Sequence, residues 1–368
     1  MKIERVELYN IKMPLVEPFH PSHGKMEDRD FIIVKMMGEG VVGWGETASQ
    51  STPYYVYETT KTCWHIQCDF LIPLLLEKDI SDPKELVSWF APVRGHNMAK
   101  TGLEQAVWDL WAKSKGQSMA EMLGGTRDRV DSGVSIGILD DLEHLLKRMT
   151  GYLKEGYRRV KIKIKPGYDV EVVKEIRRFF PKVPLMVDAN SSYTLNEVDR
   201  LRLLDDFNLI MIEQPLGYDD IWEHAKLQKQ IKTAICLDES ITTPEHARWA
   251  LEWESCRIIN VKAARVGGLT QAVRIHDLCQ ERRIPVWCGG LLESGIGRAH
   301  NVALASLPNF SLPGDISASN RYFQRDIVIQ PFELNADGTI SVPRGIGIGV
   351  DVDEPFLNSL VIRHETFH

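Results

Sequence analysis

Five charged residues recur along the middle of this chain at nearly one interval. Lys163, Asp188, Glu213, Asp238 and Lys262 follow one another about 25 residues apart. That interval is the length of one strand-plus-helix unit, and each residue closes a short apolar run. In a parallel barrel the C-terminal strand ends open on one face, where such barrels carry their chemistry. Five charges distant in sequence are therefore expected in one cavity. The three carboxylates come from successive strands and can meet around one ion. Left alone they would repel and raise one another's pKa. A hard divalent cation removes that penalty. Carboxylate oxygens with room for water and substrate suit magnesium, with manganese as a substitute. The two lysines come from the strands flanking the trio and would face each other across the ion. A lysine beside a cation and a second lysine has its neutral form favoured, as a general base requires. A metal-bound carboxylate has an acidified α-proton, because the ion stabilises the enediolate left behind.

Singly, each residue has a plainer reading. Lys161-Ile162-Lys163 reads as a solvated strand face and Asp188 before Ala189-Asn190 as a turn. Glu213-Gln214-Pro215 reads as a strand exit and Asp238-Glu239-Ser240 as a helix cap. Lys262 alone says little. The plain readings must all hold together, in this order and at this spacing. The segment Val160-Lys161-Ile162-Lys163-Ile164 argues against them. Alternation puts both lysines on one face and the isoleucines on the other. If the isoleucines meet the helices, the lysines point into the barrel, where a buried charge needs a partner.

The elements that must position these residues are legible around them. From residue 133 apolar strands alternate with amphipathic helices. Strands are read at 134–138, 159–163, 185–188, 209–213, 234–238, 258–262 and 285–289, with a short last one at 310–313. Seven or eight such units in one run predict a (β/α) barrel rather than an open sheet. No Gly-x-Gly-x-x-Gly follows the first strand to support a dinucleotide fold. An α+β unit comes before the barrel. Its strands are read at 3–11, 30–37 and 41–46, with Gly38, Gly40, Gly43 and Gly45 punctuating the last turn. Helices follow at 55–76, 83–90 and 98–115, up to the stop signal Leu123-Gly124-Gly125. The chain thus divides into a capping domain at 1–125, a barrel at 126–325 and a segment at 326–368. That last segment is strand-like around an Asp337-Gly338 turn and is expected to pack back on the capping domain.

Composition narrows the function classes. The net charge is −7 with acid and base mixed, so no basic tract suggests nucleic acid. No apolar run approaches the roughly 20 residues that span a bilayer. The segment from Lys2 to Leu8 reads as a strand rather than a leader, and a cytoplasmic location is expected. The six cysteines form no Cys-x-x-Cys pair. Cys63 and Cys68 flank His65, but structural zinc needs four ligands, so they read as reduced thiols.

With those residues in view, the chain resembles the enolase superfamily. Within it the likeness is to the o-succinylbenzoate synthase / N-succinylamino acid racemase family, also called N-acylamino acid racemase. The superfamily match is carried by Lys161-Ile162-Lys163, Val187-Asp188-Ala189-Asn190, Ile212-Glu213-Gln214-Pro215, Leu237-Asp238-Glu239-Ser240 and Asn260-Val261-Lys262-Ala263-Ala264-Arg265-Val266-Gly267-Gly268. The segment from Trp287 to Gly295, Asn301-Val302-Ala303-Leu304-Ala305-Ser306 and Leu312-Pro313-Gly314-Asp315-Ile316 resemble the narrower family. Gly43-Trp44-Gly45-Glu46 extends the likeness to the start. It implies an α/β fold, a modified TIM-type (β/α)7β barrel with an N-terminal α+β capping domain completed by the C-terminal tail.

The resemblance also implies roles. Asp188, Glu213 and Asp238 would ligate magnesium. Lys163 would remove the α-proton. Lys262 would stabilise the enediolate in dehydration, or serve as the second acid/base in racemisation. Lys161 would sit beside the base and contact the substrate carboxylate. Ser135, Asn190, Arg265, Gly289 and Leu292 are candidate substrate contacts. Residues 18–24 and 51–55 are candidate specificity loops, in which His20 and His23 read as loop residues rather than ligands. The implied partner is a small carboxylate, and a homo-oligomer is expected. Two reactions share this machinery. One is syn-dehydration of 2-succinyl-6-hydroxy-2,4-cyclohexadiene-1-carboxylate to o-succinylbenzoate, a menaquinone step. The other is 1,1-proton transfer on N-succinylamino acids. In this family an arginine three places after the second lysine accompanies racemase competence, and Arg265 stands there. Dipeptide epimerisation and muconate cycloisomerisation are the alternatives within the superfamily. Dipeptide epimerases usually carry Asp-x-Asp near the last strand, where this chain has Gly289-Gly290-Leu291-Leu292-Glu293. A non-catalytic barrel would predict a damaged charge ladder, and the ladder is intact.

Overall fold

The computed structural model describes residues 1–19, 26–76, 78–139 and 141–368. His20, His23 and the rest of the candidate loop from 20 to 24 lie outside the described residues. The chain opens with three antiparallel strands, β1 (Arg5–Phe19), β2 (Met26–Gly38) and β3 (Val41–Thr47). Their apolar residues alternate onto two faces. Val6, Leu8, Ile32, Val34 and Met36 face one way, packing against Leu103, Val107 and Leu110 of the helix Asn97–Ser114. Tyr9, Ile11, Met13, Phe31 and Ile33 face the other way and join the barrel core. Both faces are covered, which explains the near-continuous apolar run in β2.

Two details of this unit differ from the sequence reading. Gly43 and Gly45 lie inside β3, not in the turn, where Gly40 has φ +76°. A Cβ on Gly43 would stand 2.2 Å from the Ala106 carbonyl oxygen, and one on Gly45 2.1 Å from that of Gly102. These glycines let the strand lie directly on the helix backbone. The first helix begins at Thr60 rather than 55, because Thr59 and Thr62 form a reciprocal capping box. Residues 53–57 are thereby left as loop.

After the pair partner β4 (Arg129–Asp131), the barrel strands are β5 (Gly133–Ile136), β6 (Arg159–Lys163), β7 (Leu185–Asp188), β8 (Ile212–Glu213), β9 (Ile235–Leu237), β10 (Ile258–Val261) and β11 (Val286–Cys288). They form one parallel sheet in sequence order, and a helical segment follows each. The expected eighth strand at 310–313 is not a strand. Closure comes from Gly314 and Asp315 instead. The Gly314 amide donates to Asp131 O at 3.0 Å, the Gly133 amide to Gly314 O at 2.7 Å, and the Asp315 amide to Cys288 O at 2.9 Å. Two residues thus bridge the first and last strands. The tail contributes β12 (Thr339–Ser341), antiparallel to β4, and β13 (Val361–Phe367). β13 pairs with β1 in the capping sheet, Val6 opposite Phe367. Among the described residues no helix is long and apolar enough to cross a membrane.

A buried carboxylate fastens the capping unit to the barrel. Glu104, on the helix Asn97–Ser114, accepts from the Leu269 and Thr270 amides at 2.8 Å each, and from Trp108 Nε1 at 2.8 Å. It caps the barrel helix Leu269–Glu281 from outside that helix. Glu104→Ala would orphan these buried donors. A loss of about 3 kcal/mol is expected, read from the urea midpoint, since each buried unsatisfied group costs roughly 1–3 kcal/mol. An unchanged midpoint would remove Glu104 from this role.

Candidate active site

The short barrel strands place their terminal side chains on one face. Every residue of β6 is buried, so Lys161 and Lys163 must find partners inside. The Lys161 ammonium donates to Asp315 Oδ2 at 2.6 Å and Glu213 Oε2 at 2.9 Å, and stands 3.2 Å from Asp188 Oδ2. Lys163 donates to Asp188 Oδ2 and Asn190 Oδ1, both at 2.6 Å. Asp238 and Lys262 each sit one residue beyond the end of a strand, β9 and β10. Lys262 donates to Asp238 Oδ2 at 2.8 Å and to the Tyr55 hydroxyl at 2.9 Å. The Tyr55 hydroxyl in turn donates to Asp238 Oδ1 at 3.1 Å. Arg265 closes on the same Asp238 oxygen from behind. Lys163 and Lys262 therefore stand at opposite sides of the carboxylate cluster, Lys163 anchored at β7 and Lys262 at β9.

Electrostatics follows from these contacts. Burial pushes Asp188 up, but Lys163 and Lys161 outweigh it and hold its carboxyl well below the usual range. Burial, and then Asp188 itself, push Glu213 up. Burial would lower Lys161, yet Asp315, Glu213 and Asp188 raise it. Lys262 is likewise raised, because Tyr55 and Glu213 outweigh burial. With carboxylates as partners, the charged form is favoured at Lys161 and Lys262.

The carboxylates fit a hard divalent cation by their chemistry. Asp188 and Glu213 are opposite each other in the β7–β8 register, and both carboxyl groups stand at the Lys161 ammonium, at 3.2 and 2.9 Å. Two buried carboxyls side by side raise the proton affinity of one, and a divalent ion relieves that repulsion. Asp238 supplies hard oxygens from the next strand, turned here toward Lys262 and Arg265. Among the described residues no three acidic, histidine or cysteine side chains are gathered as a preformed cage. Each candidate ligand is instead held by the chain's own cations.

A cavity of about 370 Å³ opens above this cluster. Lys161, Lys163, Asp188 and Lys262 form its floor, and Ser135, Asn190 and Leu292 its wall. Ser135 Oγ donates to Asp315 Oδ1 at 3.1 Å. Leu292 has φ +58°, which turns its backbone at the rim. Glu213, Asp238, Arg265 and Gly289 lie behind the surface rather than on it. Gly289 has a packing role instead of a binding one. A Cβ there would stand 2.5 Å from Lys262 Cε and 2.3 Å from Asn260 Oδ1. The missing side chain is what seats the second lysine. Arg265 acts on the site through Asp238 and through Ile241 O, to which its Nε donates at 2.7 Å.

Sequence reasoning missed several contributors. Asp315 binds Lys161 and, at 2.8 Å, Arg159. It lies two residues past the misplaced eighth strand, so the strand-end rule did not reach it. Asn260 donates to Glu213 Oε1 at 2.8 Å, and Trp287 lies 5.0 Å beneath the Lys161 ammonium. Glu239 accepts from Asn190 Nδ2 at 2.9 Å and, by burial and then Asp188, is pushed up to about 7. Tyr55 sat inside a predicted helix as well as a candidate loop, and only the loop reading could have found it.

Comparison with known proteins agrees with this geometry. Residues 5–124 match the mandelate racemase / muconate lactonizing enzyme N-terminal domain, and residues 144–356 the enolase C-terminal domain-like family. An o-succinylbenzoate synthase of Bacillus subtilis (strain 168) is 52% identical, covering 100% of this chain and 99% of the relative. An N-succinylamino acid racemase of Thermus thermophilus is 44% identical, with 98% of each chain covered. A solved enolase-superfamily member from Listeria innocua superposes with TM-score 0.97 at 43% identity, covering 100% of this chain and 99% of that one. Enzymes of this superfamily are generally dependent on a divalent metal. A chain with both domains, seven parallel strands of which five lead into this lysine and carboxylate ladder, and relatives at this identity along its full length belongs to the o-succinylbenzoate synthase / N-succinylamino acid racemase family of the enolase superfamily.

Proposed function

We propose that the cavity removes the proton alpha to a carboxylate with two opposed lysines. By this reading it dehydrates 2-succinyl-6-hydroxy-2,4-cyclohexadiene-1-carboxylate to o-succinylbenzoate and moves the α-proton of N-succinylamino acids. The carrying observation is the pair of lysine side-chain nitrogens on either side of one buried carboxylate cluster, Lys163 on Asp188 and Lys262 on Asp238. Asp188, Glu213 and Asp238 would hold magnesium, with manganese as a substitute. Bound there, the cation offsets the charge that builds on the substrate carboxylate as its proton leaves. Lys163, seated by Asn190, takes the proton on one face. Lys262 faces the other, seated by Tyr55 over whose ring its ammonium lies at 4.4 Å. Lys161 sits beside the base and orients the reacting carboxylate.

Charge supports an anionic substrate. Five basic side chains (Arg159, Lys161, Lys163, Lys262 and Arg265) meet five carboxyl groups (Asp188, Glu213, Asp238, Glu239 and Asp315) at this site. With Lys163 neutral, as a base must be, and the others ionised, a divalent cation leaves the cluster one charge positive, which suits an anionic substrate.

The test compares kcat/KM on the two substrates, side by side, before and after stripping with EDTA. Stripping is expected to lower both rates by at least about 10³-fold, several kcal/mol of charge stabilisation being removed. Magnesium or manganese should restore them. Full activity after stripping refutes the metal assignment, and turnover of neither substrate by the metal-loaded enzyme refutes the reaction.

A further inference from the structure

Both substrates carry a second carboxylate, at the far end of the succinyl group, and it too must enter the cavity. The described cations lining that cavity are Lys161, Lys163, Lys262 and Arg29. The three lysines are committed to Asp188, Glu213, Asp238 and Asp315. Arg29 comes from β2 of the capping sheet and differs from them. It is 1% exposed, and among the described residues it forms no salt bridge. Its one hydrogen bond there is a long contact, 3.4 Å, from a terminal nitrogen to Ala48 O. Among the described residues its Nε has no partner. A guanidinium carries five donors, and burying them unpaired is costly.

The neighbouring acids are engaged elsewhere. Asp28 pairs with Lys12 at 2.9 Å, and Asp30 accepts from Asn10 Nδ2 at 2.6 Å. Glu46 accepts from the Ser294 and Gly297 amides at 3.1 and 3.0 Å. Glu293 accepts from the Leu291 amide at 2.8 Å. Burial, and then Glu293, push Glu46 up to about 8. Glu46 and Glu293 stand near enough to favour the charge on Arg29, but neither is hydrogen-bonded to it.

We propose that Arg29 is the anchor for the distal carboxylate. The inference rests on the function proposed above. The guanidinium fork matches a carboxylate in geometry, and a charged pair shielded from water discriminates strongly against a neutral analogue. The substrate class selected is therefore a carboxylate with a second carboxylate on its acyl arm.

The experiment titrates the purified enzyme in magnesium buffer with o-succinylbenzoate and with 2-butanoylbenzoate, in which a methyl group replaces the distal carboxylate. The wild type should prefer o-succinylbenzoate. Arg29→Met should weaken that probe by about 10–100-fold, the worth of a charged hydrogen bond, and the butanoyl probe by much less. Arg29→Lys keeps a charge but loses the fork, and should fall between. Equal weakening of both probes, or a wild type with no preference, overturns the proposal. Should Arg29→Met fail to fold, Arg29→Lys still decides, since an unchanged preference refutes the anchor. A wild type that prefers o-succinylbenzoate through Arg29 yet turns over neither substrate supports the anchor and refutes the reaction.

Discussion

Lys163→Ala is expected to lower kcat for dehydration and for racemisation together, by about 10³-fold or more, since a positioned general base contributes roughly 10²–10⁴-fold. The side-chain nitrogen is 2.6 Å from both Asp188 and Asn190, so its position is fixed from two sides. Among the described residues nothing nearby replaces it. Lys161 lies on the same face but is tied to three carboxylates, which hold it away from the place of Lys163. A purely structural role for Lys163 would act differently. Asp188 keeps Lys161 at 3.2 Å after the substitution, so the fold and o-succinylbenzoate binding should survive while turnover is lost. Binding measured alongside the rates separates the two. Substantial residual turnover would remove Lys163 as the base, and joint loss of binding and folding would make it a structural residue.

The part of this site that was legible in the sequence is the part that repeats. A side chain at the end of each strand, one unit apart, marks Lys163, Asp188, Glu213, Asp238 and Lys262 without any knowledge of contacts. What was not legible depends on pairs formed across long separations. Glu104 caps a helix that begins 165 residues later, and β13 pairs with β1 across nearly the whole chain. No local pattern carries such pairings. Asp315 escaped for a different reason. The closing segment is fixed by three backbone bonds to its neighbours rather than by an apolar run, so periodicity placed the last strand too early. Gly289 shows a third kind of limit. Its type was noted and its role misjudged, because what it does is stay out of the way of Lys262 Cε. Tyr55 was hidden by helical spacing that continues past the real helix start at the Thr59 cap.

Substitution of Lys262 by methionine should separate the two reactions where Lys163→Ala does not. Dehydration needs a proton removed from one face. Racemisation needs removal on one face and delivery on the other. Without Lys262, one enantiomer of an N-succinylamino acid still presents its α-proton to Lys163. In deuterium oxide that enantiomer should exchange its proton without inverting, while the opposite enantiomer should not exchange. Racemisation is expected to fall by about 10⁴-fold and dehydration by less, roughly 10²-fold, the range for one positioned acid–base group. Methionine suits the test, because Gly289 leaves no room behind the Cε position for a bulkier side chain, and methionine matches the lysine stem in length. The loss of charge beside Asp238 is partly covered by Arg265 and Tyr55, which keep their contacts with Asp238 Oδ1. Exchange of both enantiomers by Lys262→Met would show that a second base acts on that face, and persistent racemisation would refute the two-lysine arrangement itself.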